Sequence, residues 1–141
     1  MIAIVDTSVA IKWFIEEDDA DDALLLLDRR FELHAPDLLS LEFDNVLCKL
    51  IRRELLSIDE GLDIHDRITA FPIRYHPSQI VQERAFEMAV ETRRSIYDCL
   101  YLALAEILKG RMVTADRKFF KALDCGKYGH HLLWMGDLDK A

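Results

Sequence analysis

Four carboxylates in this chain occupy places where acidic chemistry collects. Asp6 closes the apolar run of residues 2–5, and Asp116 directly follows a second short run at 112–115. In open parallel sheets, ligands sit beyond the carboxyl ends of the strands, so an acid just past a buried strand is well placed to meet one. Either Asp alone is equally a turn residue or a helix N-cap; two strands ending the same way form a pattern. Asp98 opens the stretch 99–108, which is almost wholly apolar. A carboxylate in the first turn of a buried helix must find a partner or give up its charge. Backbone donors and a capping box with Ser95 are one source of partnering, and a cation is the other. At 100° per residue, Glu42 falls about 40° from Val46 and on one stripe with Leu38, Asn45 and Lys49, at the edge of the apolar face of its helix.

If these acids converge, their mutual repulsion in a partly desolvated cleft is costly, and a hard divalent cation with oxygen ligands relieves it. The acids have no neighbouring His or Cys pairs, which disfavours zinc and leaves Mg²⁺ or Mn²⁺ as the expected cofactor. Such an ion draws a nucleophile from water and steadies a leaving oxygen, which suits phosphodiester hydrolysis. Arg117 and Lys118, beside Asp116, are the candidate contacts to a substrate phosphate. Lys12 follows Asp6 by a turn and a half and is a third candidate, set against an ordinary solvated lysine. Asn45 shares the Glu42 stripe and could orient that carboxylate or contact substrate.

The elements that must position these residues alternate strand with helix. Strands are expected at 2–5, 31–35, 71–76, 112–115 and 132–134, the first central in the sheet. Helices are expected at 8–14, 23–27, 36–55, from Ser57 onward with Glu60 as its capping box, 78–94, 95–108 with Gly110 as C-cap, and 118–123. That alternation predicts an α/β fold with a mostly parallel central sheet covered by helices on both faces, three layers in all. The acidic run at 16–22 reads as a solvated helix entrance, because it lacks the glycine and terminal Glu of a calcium loop.

The chain has 141 residues, 51% hydrophobic and 31% charged, with five Gly and three Pro, which describes one folded domain over residues 1–141 and excludes disorder and flexible linkers. A net charge of −8 repels polyanions at long range, so a nucleic-acid partner must meet a local basic patch or a bound cation. The paired arginines 29–30, 52–53 and 93–94 read as solubility or partner-facing charges. Cys48, Cys99 and Cys125 are odd in number and widely spaced, and are expected to be reduced in a cytoplasmic protein. The opening residues, broken by Asp6 and Lys12, are neither a leader nor a membrane span, so the mature chain is expected to begin at Met1. His130 and His131 would point apart in a strand, which argues against joint metal binding. Trp13, Phe14, Phe119, Phe120 and Trp134 are expected in the core, with any exposed subset available to a partner.

Four blocks, IVDTSVAIKWF at the start, residues 36–47 with Glu42 and Asn45, YDCLYLALA around Asp98, and VTADRKF around Asp116, together resemble the PIN domain, specifically toxin ribonucleases of the VapC type. The resemblance runs through nearly the whole chain in order. It implies that Asp6, Glu42, Asp98 and Asp116 are metal-binding catalytic acids, with Ser8 and Thr114 as supporting hydroxyls. It further implies a Mg²⁺- or Mn²⁺-dependent endoribonuclease acting on RNA, usually a homodimer and neutralised by a small antitoxin. Three alternatives stand beside it. A haloacid-dehalogenase-type phosphatase would want a second Asp where Ser8 stands. A phosphoacceptor signalling domain would want an acidic pair after the first strand. A PIN-like fold kept for binding alone would keep the acids without turnover.

Overall fold

The computed structural model describes residues 1–141 throughout. Five strands, β1 (Ile2–Val5), β2 (Glu32–Pro36), β3 (Ile73–His76), β4 (Arg111–Thr114) and β5 (Leu132–Trp134), form one sheet in the order β3-β2-β1-β4-β5. Every pairing is parallel, so the sheet is wholly rather than mostly parallel. Seven helices cover it: α1 (Thr7–Ala10), α2 (Ala20–Leu24), α3 (Leu38–Arg52), α4 (Ile58–Ile68), α5 (Ser78–Thr92), α6 (Ile96–Leu108) and α7 (Arg117–Leu123). Parallel strands hide both faces, and Ala3, Ile4 and Val5 of the central strand are fully buried. Helix α6 lies against β1, β2 and β4 and pairs along α5, which explains why Cys99 to Ala105 is apolar and buried all round.

The chain steps outward from β1 to β2 to β3, then returns to lay β4 on the other side of β1. The crevice where strand order reverses therefore opens between the carboxyl ends of β1 and β4. Register sets Val5 beside Val113, and the Asp6 N–H donates to the Val113 carbonyl at 3.2 Å. Because α6 leads into the parallel strand β4, its first turn stands at that same edge, as does the start of α3, which leaves β2.

Several boundaries differ from expectation for local reasons. Pro36 ends β2 instead of opening a helix, and α3 begins at Leu38. The first helix is a single α-turn that tightens into a 3₁₀ turn at Ile11–Trp13. At the end of α6 the left-handed residue is Lys109 (φ 58°), not Gly110. The Gly110 N–H reaches back to Ala105 O at 2.8 Å and the Lys109 N–H to Glu106 O at 3.2 Å, a Schellman closure. Gly110 serves a different need, since a Cβ there would stand 2.6 Å from the Ile2 carbonyl oxygen. His130 and His131 fall in a 3₁₀ turn, where their rings pack 4.0 Å apart. All three cysteines are free, and no helix is long and apolar enough to cross a membrane.

Candidate active site

The sequence-predicted acids come together. Asp6 at the end of β1, Glu42 in the second turn of α3, Asp98 in the first turn of α6 and Asp116 after β4 line one cleft of about 290 Å³, with Ser8 and Asn45 in its wall. Thr114 stands just beneath, fully buried at the end of β4.

Three of the four carboxylates are held by one oxygen. Asp6 Oδ2 accepts the hydroxyls of Ser8 at 2.7 Å and Thr114 at 2.9 Å. The chain of support continues outward, for Ser8 Oγ accepts the Ala115 N–H at 3.0 Å and Thr114 Oγ1 accepts the Asp116 N–H at 3.0 Å. Glu42 Oε1 accepts the hydroxyls of Tyr101 at 2.6 Å and Thr7 at 3.2 Å. Asp116 Oδ1 caps α7 by accepting the Phe119 N–H at 3.1 Å. In each case the second carboxylate oxygen accepts no hydrogen bond within the chain. Asp98 differs: its backbone N–H donates to Ser95 Oγ at 3.1 Å, so the N-cap forms without tying the carboxylate into a reciprocal box of the kind seen at Ser57 and Glu60.

Electrostatics follow this geometry. Burial pushes the Asp6 carboxyl up to about 6, with the Ser8 and Thr114 hydroxyls pulling the other way and the charges of Asp98 and Glu42 adding to the rise. Asp98 is also raised, by burial first, opposed by the Ser95 hydroxyl and assisted by the charges of Asp116 and Glu42. Burial and the adjoining Glu42 hold the Tyr101 phenol far above its ordinary range, so it remains a proton donor to that carboxylate. Two of these acids thus repel neighbours that share the cleft, the condition a divalent cation relieves.

The donor chemistry of the four acids, oxygen only, is that of a hard dication. No three acidic, His or Cys side chains stand close enough to hold an ion between them.

The basic candidates separate. Lys118 lines a neighbouring cavity that shares Asp98 and Asp116. Arg117 lays its guanidinium 4.7 Å over the Trp134 ring. Lys12 turns away to the acidic run, pairing with Glu17 and with Asp19 at 3.0 Å, so this run serves as the partner of a half-buried lysine. Of the five aromatic residues expected inside, Phe119 is buried and the others half-buried; Phe14 packs edge-on to Phe43 and Phe120 against Trp134. Thr7, Tyr101, Lys49, Arg93 and Arg94 belong to the site or its rim and were not assigned to it from sequence. Tyr101 had a signal: it is the hydroxyl one turn after Asp98, within the otherwise apolar stretch Cys99 to Ala105. Lys49 had another, the shared stripe with Glu42 and Asn45.

Comparison with known proteins identifies the family. The family model described as the PIN domain matches residues 3–124, and the chain belongs to that family. It is 32% identical over 120 residues to Ribonuclease VapC3 of Pyrobaculum aerophilum, covering 84% of this chain and 92% of the relative. It is 30% identical over 113 residues to Ribonuclease VapC9 of Mycobacterium tuberculosis, covering 80% and 84%. Among solved structures, the fold superposes on Mycobacterium tuberculosis VapC20, a sarcin-ricin loop cleaving toxin, with a TM-score of 0.65 at 17% identity, over 86% of this chain and 95% of that one. It also matches VapBC2 of Rickettsia felis, solved on a fragment of promoter DNA, with a TM-score of 0.62 at 13% identity, over 95% and 97%.

Proposed function

We propose that this chain is an endoribonuclease that hydrolyses RNA phosphodiester bonds with Mg²⁺ or Mn²⁺, the toxin half of a toxin-antitoxin pair. The observation that carries the chemistry is that Asp6, Glu42 and Asp116 line one cleft and are each tethered by one oxygen, with the other oxygen accepting no hydrogen bond within the chain. Asp6, Glu42, Asp98 and Asp116 would hold the cation, which supplies Lewis acidity to water and to the leaving oxygen. Ser8 and Thr114 keep Asp6 aimed, and Thr7 and Tyr101 keep Glu42 aimed. Asn45 lines the cleft wall and would contact the RNA strand there. Ser8 stands where the phosphatase alternative requires an acid, and Asp6 alone follows β1, which removes the acidic pair of a phosphoacceptor domain.

A homodimer and a small antitoxin are part of the same reading. Exposed apolar side chains support it: Leu55, Ile58 and Leu62 around the start of α4, and Ile80, Phe86 and Val90 on α5. The kinship to VapC ribonucleases favours a cytoplasmic site of action. The decisive experiment compares RNA cleavage by the wild type and by Asp6→Asn, Glu42→Gln, Asp98→Asn and Asp116→Asn, with Mn²⁺ and with excess chelator. Chelation is expected to abolish cleavage, and each variant to lose about two orders of magnitude or more, because the ligands act as a unit. Undiminished cleavage in chelator would remove the metal; correctly folded wild type that leaves RNA intact in Mn²⁺ would leave the fold as a binding module.

A further inference from the structure

Next to the acid cleft lies a second cavity of about 360 Å³ that shares Asp98 and Asp116 with it and is otherwise walled by Arg93, Arg94, Ser95, Lys118 and Phe119. Arg93, Arg94 and Lys118 form no ion pair within 4.0 Å, although Asp98 and Asp116 line the same cavity. Arg94 carries a sharper sign. Its Nε is the buried side-chain polar atom without a hydrogen-bond partner, and such a group inside a folded protein needs one.

The two arginines form the link between α5 and α6. Arg93 takes a left-handed conformation (φ 61°) that closes α5, the Arg94 N–H donates to Thr92 Oγ1 at 3.3 Å, and Ser95 then caps α6. Because α5 and α6 pack along one another, the link is fixed at the cleft edge. The planar guanidinium fork of an arginine beside a lysine is suited to a phosphate diester oxygen. The local excess of positive charge is what a chain of net charge −8 requires to hold RNA.

We infer that Arg93, Arg94 and Lys118 form a phosphate subsite that binds the RNA backbone next to the phosphodiester being cleaved, and so positions the strand over the four acids. This rests on the nuclease reading for the identity of the strand, but its test does not require turnover. Binding of a fluorescein-labelled single-stranded RNA is followed by anisotropy in the Asp6→Asn background with Mg²⁺, across a range of salt. Asp6 does not line the subsite, so this background suppresses cleavage and leaves the subsite intact.

Arg93→Gly is the informative substitution, because glycine favours the left-handed cap and the fold should melt no lower than its parent. Arg93→Gly, Arg94→Gln and Lys118→Gln are each expected to raise the Kd about tenfold, and the slope of log Kd against log salt should become shallower by about 0.7 for each phosphate left without its cation. Arg52→Gln with Arg53→Gln removes two exposed charges at the far end of α3 and serves as the control; it should change binding much less.

Variants that bind with the parent's affinity and salt slope would overturn the subsite, as would a control that weakens binding equally. In the active background, the same subsite variants should raise KM more than they lower kcat. If the wild type binds RNA through these residues yet never cleaves it, the nuclease reading falls and the subsite stands. If it cleaves RNA and the variants bind and cleave like wild type, the subsite falls and the nuclease stands.

Discussion

At the scale of single residues, the site is organised by hydroxyls. A carboxylate on a flexible side chain would place its oxygens poorly for a cation, and the pairs Ser8 with Thr114 and Thr7 with Tyr101 remove that freedom from Asp6 and Glu42 respectively. Tyr101 is the most testable of the four, being fully buried and bonded to Glu42 at 2.6 Å. A hydrogen bond to a charged group contributes about 1.5 to 3 kcal/mol, and about 1.4 kcal/mol is a factor of ten in binding. Tyr101→Phe keeps the ring in the core and removes only the donor. Its Mn²⁺ isotherm should therefore shift to about tenfold weaker binding, and RNA cleavage should fall more at limiting Mn²⁺ than at saturation. An unchanged isotherm would reduce Tyr101 to a packing residue.

The helix starts separate scaffold from site at the scale of elements. The cap of α6 uses the backbone N–H of Asp98 and the hydroxyl of Ser95, not the Asp98 carboxylate. Ser95→Ala should accordingly cost about 0.5 to 2 kcal/mol whether or not metal is present. Asp98→Asn keeps the N–H and removes one member of a repulsive set, so without metal it should melt no lower than wild type while its gain from Mn²⁺ shrinks. Melts of both variants with Mn²⁺ and with chelator check this, and a lower melting temperature for metal-free Asp98→Asn, with an undiminished Mn²⁺ response, would make that carboxylate structural.

This division is half legible in the sequence. The strands announce themselves by short apolar runs, and the 3.6-residue period carries Glu42 and Asn45 to the cleft side of α3. The Ser95 and Asp98 pattern, by contrast, reads the same whether the acid closes a reciprocal box, as Glu60 does, or faces a cleft. Arg93 and Arg94 are hidden for a related reason. Two adjacent arginines at a helix end look like solubilising charge until α5 and α6 are folded together and the link is set beside Asp98. Gly110 looks like a helix cap in the sequence, because its need for a missing Cβ comes from Ile2, more than a hundred positions away in the chain.

For the whole molecule, the acids couple the stability of the fold to pH and to divalent cation. Asp6 is 7% exposed and its carboxyl is lifted from 3.8 to about 6. A proton is then bound more tightly by the folded than by the unfolded chain. The stabilisation this gives the metal-free protein is complete below the unfolded value and is lost as pH rises through about 6, a change of about 3 kcal/mol at most. A dication binds the carboxylate form and only the folded state. It therefore competes with the proton, and at a hundred times its dissociation constant it adds about 2.7 kcal/mol. The two effects have opposite pH dependence. Chelated wild type should melt lower on the alkaline side of pH 6 than on the acid side, relative to Asp6→Asn measured alongside. The increment from Mn²⁺ should grow across the same interval in the wild type and stay small in Asp6→Asn. Thermal melts of the two proteins on either side of pH 6, with Mn²⁺ and with chelator, read out both slopes. An Mn²⁺ increment of the same size and pH course in Asp6→Asn would show that the ion binds elsewhere, since Asp6 is the deepest of the four acids and the one on which the crevice between β1 and β4 converges.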